Sequence, residues 1–268
     1  MKYFAISDVH SFYQPMIDAL NKAGFDPNNK NHTLVSCGDL FDRGDDSVKV
    51  LDYIMSLPRK VLVQGNHESM LIELLTHKRG PQWHDEHNGT LKTIEDLGGA
   101  EDKGFKDTYT NNIRLLRENE KMKEYIMSLV DYFETERYIF VHSWLPLGRD
   151  DKGSSTYLNF READKKNWES ARWENPFLCW DYMNEWEEKT GKTIVFGHWH
   201  TAHAHARYNN DGVSRISYSS FEKGFNNCNI FYGKGTGADD IIALDACTVV
   251  SNQVNCLVIE DEPLKIVK

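Results

Sequence analysis

The sequence lacks several features that would point to particular classes of protein. Its five cysteines are an odd number with no Cys-x-x-Cys pair, so reduced thiols in a cytoplasmic protein are the simplest interpretation. No apolar run approaches the roughly 20 residues of a membrane span, and the first residues, MKYFAISDVH, lack the apolar core of a signal peptide. Lys and Arg number 31 against 41 Asp and Glu, which leaves a net charge of −10. Such an acidic chain disfavours nonspecific nucleic-acid binding.

What is present is the composition of an ordinary globular protein. Hydrophobic residues make up 40% and charged residues 27% of the 268 positions, which excludes low-complexity and disordered classes. This length suits one large domain or two small ones. We see no repeat and no linker, and we expect a single domain over residues 1–268.

The first third of the chain alternates between two hydrophobic periodicities. Apolar runs suited to buried strands alternate with segments whose apolar residues recur at helical spacing. The pattern predicts strands at Lys2–Ser7, Thr33–Cys37 and Lys60–Val63, and helices at Tyr13–Ala23, at 46–55 and at Glu68–Leu75. Strands and helices in this order are typical of βαβ units, so we expect an α/β fold with a buried sheet.

Two long segments interrupt this alternation. Residues 80–136 are polar and charged, with helices predicted at Thr90–Leu97 and Met122–Phe133, and residues 148–191 are aromatic and acidic. Further strands are predicted at 138–141, 193–196, 241–244 and 254–259. We therefore expect two insertions that form a cap or rim on one domain. The four tryptophans of the second insertion, Trp168, Trp173, Trp180 and Trp186, favour a small local core over a base-stacking surface.

Five of the predicted strands end in a side chain that can bind a metal ion. Sites in open α/β sheets form at the carboxyl ends of strands, so five such ends point to one site. A glycine precedes three of these side chains and lets the backbone come close to a ligand. The residues are Asp8 and His10 after the first strand, Asp39 after the second, Asn66 and His67 after the third, His142 after the fourth, and His198 and His200 after the fifth.

The donor types indicate which metals this site would hold. Carboxylate and imidazole donors without thiolates suit manganese, iron, zinc or nickel, with manganese as the first choice, whereas an all-oxygen set would indicate calcium or magnesium. Seven of these side chains, all but His67, are candidate ligands, which is too many for one ion and suits two divalent ions that share a carboxylate. Two ions held about 3.5–4 Å apart clamp a phosphoryl group and generate hydroxide from water near neutral pH.

The ordered blocks SDVHS, GDLFDRG, GNHE, VHSW and GHWH resemble the signature of the calcineurin-like metallophosphoesterases. GDLFDRG together with GNHE is most similar to the phosphoprotein phosphatase family, which includes bacterial and phage Ser/Thr phosphatases and symmetrical diadenosine tetraphosphatases. The blocks run from residue 7 to residue 200 in the family's order. The resemblance implies a four-layer α-β-β-α sandwich of the metallophosphoesterase type.

The resemblance also implies a role for each matching residue. Asp8 and His10 would hold the first metal, Asp39 would bridge both, and Asn66, His142 and His198 would hold the second. His200, which matches the second histidine of GHxH, would bind the first metal. His67 would protonate the leaving group with Asp42 orienting it, Arg43 would bind the phosphate, and the attacking group would be a metal-bridging hydroxide without a covalent intermediate.

The sequence departs from the family pattern at three points. Ser7 and Ser11 stand where glycines are expected, and we expect intact ligands with a modest change of the loop. Gln64 replaces the arginine that commonly precedes GNHE, so one phosphate-binding cation is missing, which puts protein-phosphatase behaviour in doubt. Arg172 is one candidate for a second cation, and three other arginines compete with it, namely Arg161, Arg207 and Arg215.

These observations leave several functions open. The leading prediction is a dimetal phosphatase of the Ser/Thr protein phosphatase type that acts on a phosphorylated protein or a small phosphomonoester. The alternative is a dinucleoside polyphosphate hydrolase on the same site, and a silent phosphate-binding scaffold is a minor one. We expect no nucleic-acid or membrane partner and a cytoplasmic location.

Overall fold

The structure, a computed structural model, describes residues 1–99, 105–149, 155–209 and 227–264. The strands are β1 Lys2–Ile6, β2 His32–Ser36, β3 Lys60–Val63, β4 Leu129–Val130, β5 Phe133–Glu134, β6 Tyr138–Phe140, β7 Leu147–Arg149, β8 Ser155–Tyr157, β9 Thr193–Phe196, β10 Phe231–Gly233, β11 Ile241–Ala243 and β12 Leu257–Glu260. The helices are α1 Tyr13–Ala23, α2 Ser47–Ser56, α3 Asn66–Leu75, α4 Trp83–Asn88, α5 Thr90–Gly98, α6 Phe105–Glu118, α7 Glu120–Ser128, α8 Lys165–Ala171, α9 Pro176–Trp186, α10 Thr201–Asn209 and α11 Thr248–Ser251.

Two five-stranded sheets form the centre of the molecule. The first has the order β12-β1-β2-β3-β4, and the second has the order β10-β11-β9-β6-β5. Strands β1 to β4 run parallel, and so do β6, β9 and β11, while the edge strands β12, β10 and β5 are antiparallel to their neighbours. The carboxyl ends of the parallel strands in each sheet therefore lie along one edge of that sheet.

The two-residue period of the strands sorts their side chains into layers. In β1, Tyr3 and Ala5 face the second sheet and pack with Phe140 and Val195 from it. Their neighbours Phe4 and Ile6 face the opposite side and join a cluster with helices α1, α2 and α3. The second sheet turns its other face toward α8, α9 and α10. The result is the four-layer α-β-β-α sandwich that the family resemblance implies.

The two insertions pack into the outer helical layers. Helices α5, α6 and α7 add apolar side chains such as Ile94, Ile113 and Tyr125 to the cluster outside the first sheet. Helices α8 and α9 add Trp168 and Trp180 to the cluster outside the second sheet. The expected tryptophan core therefore contains two of the four tryptophans of the second insertion, because Trp173 and Trp186 are largely exposed.

The structure bears on four of the sequence-based predictions. The helix predicted at Met122–Phe133 ends at Ser128, because Leu129–Val130 pairs with β3 and Phe133 lies in β5. The two closing strands belong to different sheets, with α11 between them. All five cysteines are unpaired thiols. None of the helices in the described ranges is long and apolar enough to cross a bilayer.

Candidate dimetal site

The carboxyl ends of five parallel strands, three from the first sheet and two from the second, lead to the candidate residues. Strands β1, β2 and β3 lead to Asp8, Asp39 and Asn66, while β6 and β9 lead to His142 and His198. Side chains then join the two sheets directly. The backbone N–H of His198 donates to Asp8 Oδ2 (2.9 Å), and His142 Nδ1 lies 2.8 Å from the carbonyl oxygen of Cys37. Residues predicted from widely separated motifs thus meet in one place.

Glycine is required where these strand ends approach one another. A Cβ at Gly65 would lie 2.1 Å from Asp39 Oδ1, and a Cβ at Gly197 would lie 2.1 Å from Asp8 Oδ2. Both separations are far shorter than van der Waals contact, so any larger residue would displace a carboxylate of the site. From the sequence we expected these glycines to let the backbone approach a ligand. In the structure they make space for a carboxylate at the end of the neighbouring strand.

The site backbone is strained. Positive φ angles, which disfavour side chains with a Cβ, occur at Asp8, His10, Asp39, Arg43 and His198, with values between 50° and 66°. Residues held in such conformations cluster at functional sites, where the surrounding structure must stabilise them. Ser11, where the family has glycine, also takes a φ of 62°.

Two groups of side chains in the described ranges could each hold a metal ion. The first is His10, Asp39 and His67, and the second is Asp39, His142 and His198. Within each group the ligand atoms lie within 4.8 Å of one another, and Asp39 belongs to both. A carboxylate shared by two adjacent groups is the arrangement that two neighbouring ions need.

The protonation pattern at His142 also fits a cation. Its Nδ1 faces the carbonyl oxygen of Cys37 and therefore carries the proton of the neutral ring. Its Nε2 then turns a lone pair toward Asn66 Oδ1, which lies 2.7 Å away and is itself an acceptor. Burial lowers the pKa of His142 and opposes a second proton on the ring, although Asp8 and Cys37 act in the other direction. A metal ion between the two acceptors would satisfy both.

The buried carboxyl groups of Asp8 and Asp39 also favour a bound cation. Burial, followed by the charge of Asp245, raises the pKa of Asp8 to about 7, against opposing effects of His142, Ser7 and the His198 N–H. Burial likewise raises the pKa of Asp39 well above its usual value. Buried carboxylates are stabilised by pairing or by metal coordination. The donors present therefore fit the two ions expected from the sequence.

His67 of the first group is linked to two further side chains, Asp42 and Arg43. His67 Nδ1 donates to Asp42 Oδ2 at 2.6 Å, and Arg43 Nη2 lies 3.3 Å from His67 Nε2. Burial lowers the pKa of His67, but Asp39 and Asp42 outweigh it, so the net shift is upward. Asp42 thus fixes the ring tautomer and favours the cationic form, as the sequence-based prediction requires.

The first insertion supplies groups that hold Asp42. Thr90 Oγ1 donates to Asp42 Oδ2 at 2.6 Å, and Thr93 Oγ1 donates to Asp42 Oδ1 at 2.7 Å. The N–H of Asp42 donates in turn to Thr93 Oγ1. The first turn of α5 therefore sets the orientation of the carboxylate that orients His67. Sequence reasoning missed both threonines, since nothing in a polar helix start identifies the carboxylate that it will contact.

Glu68 has a structural role that the sequence analysis did not assign. Its Oε2 accepts from the N–H groups of Asp39 and Gly65 at 2.8 Å, and its Oε1 accepts from Leu40 N at 2.8 Å and from Tyr125 Oη at 3.0 Å. One buried carboxylate thus holds the loop of the shared ligand Asp39. Its place in GNHE was a signal that could have led to it.

His200 lies outside both donor groups. Its Nε2 is 3.7 Å from Asp245 Oδ2, and its ring stacks on His203. Burial, followed by the charge of Arg43, lowers the pKa of His200 to about 4. A ligand role for His200 stays a prediction. Asp245, which sequence reasoning missed, follows β11, so the strand-end rule that located the other candidates could have found it.

The candidates for a second phosphate-binding cation are engaged elsewhere or lie outside the described residues. Arg172 is buried, pairs with Asp131 and donates to the carbonyl oxygen of Gln64 (3.2 Å). The others are Arg161, which pairs with Glu134, Arg207, which pairs with Asp181, and Arg215, which lies outside the described residues. Arg172 thus hydrogen-bonds to the backbone of Gln64, the position where the family commonly has an arginine.

Two stacked sheets with buried carboxylate and imidazole donors at their joined carboxyl ends define a protein of the metallophosphoesterase class. A profile of the calcineurin-like phosphoesterases matches residues 1–202. The chain belongs to that family, which confirms the predicted class of enzyme, a phosphoester hydrolase.

Curated relatives match over a limited part of the chain. A symmetrical bis(5'-nucleosyl)-tetraphosphatase from Buchnera aphidicola is 42% identical over 73 residues, which are 27% of this chain and 26% of the relative. A protein of the same name from Legionella pneumophila is 37% identical over 105 residues, which are 39% of this chain and 36% of the relative. The matches span about a quarter to just over a third of these relatives' length.

Solved structures share the fold over nearly the whole chain. A cold-active protein-tyrosine phosphatase of a psychrophilic Shewanella is 16% identical, with a TM-score of 0.51 and coverage of 97% of this chain and 75% of that one. A protein serine/threonine phosphatase from Saccharomyces cerevisiae is 13% identical, with a TM-score of 0.50 and coverage of 99% and 81%. At this identity the likeness concerns the fold alone.

Proposed function

We propose that this protein is a manganese-dependent hydrolase that cleaves the polyphosphate chain of a dinucleoside polyphosphate. The observation that carries the chemistry is the pair of buried donor groups that share Asp39, the first of which includes His67 with Arg43 beside it. Two bound ions would polarise the phosphoryl oxygen and lower the pKa of bound water. The proposed ligands are Asp8 and His10 for one ion, Asn66, His142 and His198 for the other, Asp39 for both, and His200 as a further ligand of the first.

The remaining roles belong to groups of the chain that contact the substrate. The exposed guanidinium of Arg43 offers a two-pronged donor to phosphate oxygens, next to His67 Nε2. His67, held through Nδ1 by Asp42, delivers a proton from Nε2 to the leaving oxygen. Positioning and charge stabilisation of this kind supply most of the catalysis in phosphoryl transfer.

The choice of a dinucleotide rests on the relatives and on the cations. Both relatives described above are named symmetrical bis(5'-nucleosyl)-tetraphosphatases. Gln64 replaces the arginine that is common in protein phosphatases, and Arg172 is buried in an ion pair. A protein phosphatase was our first expectation from the motifs. It uses the same chemistry, but the named relatives favour the dinucleotide alternative.

The test is to give the purified, manganese-loaded protein diadenosine tetraphosphate and a phosphoserine peptide in parallel. Hydrolysis at the centre of the tetraphosphate consumes one water and releases two ADP, which chromatography distinguishes from AMP plus ATP. We expect the dinucleotide to have the higher kcat/KM. His67→Asn should lower turnover by about 100-fold or more, since general acid catalysis contributes about 10²–10⁴-fold.

The control variant is His77→Asn, in a histidine two residues after the end of α3 that contacts no candidate ligand in the interactions described above. It should retain full turnover. Faster release of phosphate from the peptide would support the protein-phosphatase alternative. Turnover of neither substrate by protein that holds two ions per chain would contradict both. The cytoplasmic location and the single-domain organisation stay predictions.

A further inference from the structure

An exposed tryptophan lies beside the second donor group. Trp173 follows α8 in the second insertion, and 54% of its surface is exposed. Its ring centroid is 6.5 Å from that of His198, with the two planes at 87°. A large apolar ring left in solvent next to a polar site is unusual, because aromatic rings of this size are mostly buried.

Both sequence neighbours of Trp173 are hydrogen-bonded to segments of the site. Arg172 Nε donates to the carbonyl oxygen of Gln64, two residues before Asn66. Ser143 Oγ, next to His142, donates to the carbonyl oxygen of Glu174 (2.6 Å). The segment that carries the exposed ring is therefore anchored to the segments that carry the candidate ligands.

We propose that Trp173 is a stacking surface for a nucleobase of the substrate, so that the site selects nucleoside polyphosphates over other phosphate compounds. This inference rests on the proposed function and adds the group that recognises the base. A flat ring stacks on any nucleobase, since every base has a π-face, and it needs no hydrogen-bond partner to do so. The net charge of −10 gives the chain no general attraction to phosphate compounds, and a stacking contact adds affinity for the nucleoside that the cations of the site do not supply.

A matched control exists in the same insertion. Trp186, at the end of α9, is exposed to a similar extent, 51%, and none of its interactions described here involves a site residue. Loss of an exposed tryptophan as such can therefore be separated from loss of the ring beside His198. Trp173→Phe keeps an aromatic face and serves as the conservative variant.

The experiment measures binding of ADP and of inorganic pyrophosphate to the manganese-loaded protein by titration calorimetry. The ratio of the two dissociation constants isolates the contribution of the nucleoside. We expect the wild type to bind ADP more tightly, and Trp173→Ala to reduce that preference by about 5- to 150-fold, as expected from the energy of one stacked base. Pyrophosphate binding should stay within about twofold, Trp173→Phe should recover most of the preference, and Trp186→Ala should retain it.

Three outcomes would overturn the inference. They are a wild type without preference for ADP, an unchanged preference in Trp173→Ala, and a loss in Trp173→Ala that affects pyrophosphate as strongly as ADP. Because the measurement concerns binding, it separates the two proposals. If diadenosine tetraphosphate is not hydrolysed but Trp173→Ala abolishes the preference for ADP, the proposed function fails and the nucleobase surface stands.

Discussion

The buried carboxylate of Glu68 allows a prediction whose size can be worked from the structure. Its two oxygens accept four hydrogen bonds, from Asp39 N, Gly65 N, Leu40 N and Tyr125 Oη. Glu68→Gln keeps the shape but turns one oxygen into an N–H donor. Either orientation of the amide then faces two donors and leaves both without an acceptor.

Each buried donor left unpaired costs about 1–3 kcal/mol, so we expect Glu68→Gln to lower the free energy of unfolding by about 2–6 kcal/mol. Tyr125→Phe removes one donor and leaves the other three bonds intact, so its effect should be smaller, about 1.5–3 kcal/mol for a bond to a charged group. Both changes should also weaken metal binding in the same order, because Glu68 holds the loop of the shared ligand Asp39.

The assay is urea unfolding of the metal-free proteins, followed by elemental analysis after reloading with manganese. Glu118→Gln is the matched control, since Glu118 is exposed and its ion pair with Arg114 lies at the surface. Its effect should remain within about 0.5 kcal/mol. The reasoning is refuted if Glu68→Gln is no less stable than Glu118→Gln, or if Tyr125→Phe is the more damaging of the two site variants.

Three further predictions follow from the site. Thr90→Val removes a charged hydrogen bond from Asp42, so kcat should fall about 10- to 100-fold, with a larger loss for substrates whose leaving group is a poor one. Asp8→Asn removes a carboxyl whose pKa is raised from 3.8 to about 7 by burial. Ionising this buried carboxyl costs free energy only in the folded state. The free energy of unfolding of the metal-free wild type should therefore fall by up to about 4 kcal/mol relative to this variant as pH rises from 4 to 7, and should not differ with pH below 4. Gly197→Ala should abolish binding of at least one ion, because its Cβ would collide with the Asp8 carboxylate.

Each of these predictions has a contrary outcome. If Thr90→Val lowers kcat equally for good and poor leaving groups, the result would argue against an effect on proton transfer. Thr76→Val, at an exposed threonine, is the control for the substitution and should leave kcat unchanged. A parallel pH dependence of the Asp8→Asn variant and the wild type would contradict the raised pKa. Gly80→Ala, where a Cβ meets no atom within 4 Å, controls for the glycine change. Equal metal content in the two alanine variants would refute the predicted collision.

Much of the fold was predictable because its determinants are local. The helix at Tyr13–Ala23 and the strands at Lys60–Val63 and Thr193–Phe196 occur as predicted, since each is defined by a short apolar period bounded by turn residues. The predicted helix at Met122–Phe133 was wrong beyond Ser128, because pairing of Leu129–Val130 with β3 outweighs the local preference. Pairing with a distant strand cannot be read from a window of neighbouring residues.

The candidate site divides in the same way. The sequence alone identified the residues that follow the parallel strands, because a strand and the loop after it are adjacent in the sequence. Only the tertiary structure decided that Thr90 and Thr93 hold Asp42, that Tyr125 reaches Glu68, and that His200 lies beside Asp245. Those contacts join segments tens of residues apart, and the packing of helices on the sheets, which no local pattern encodes, brings them together.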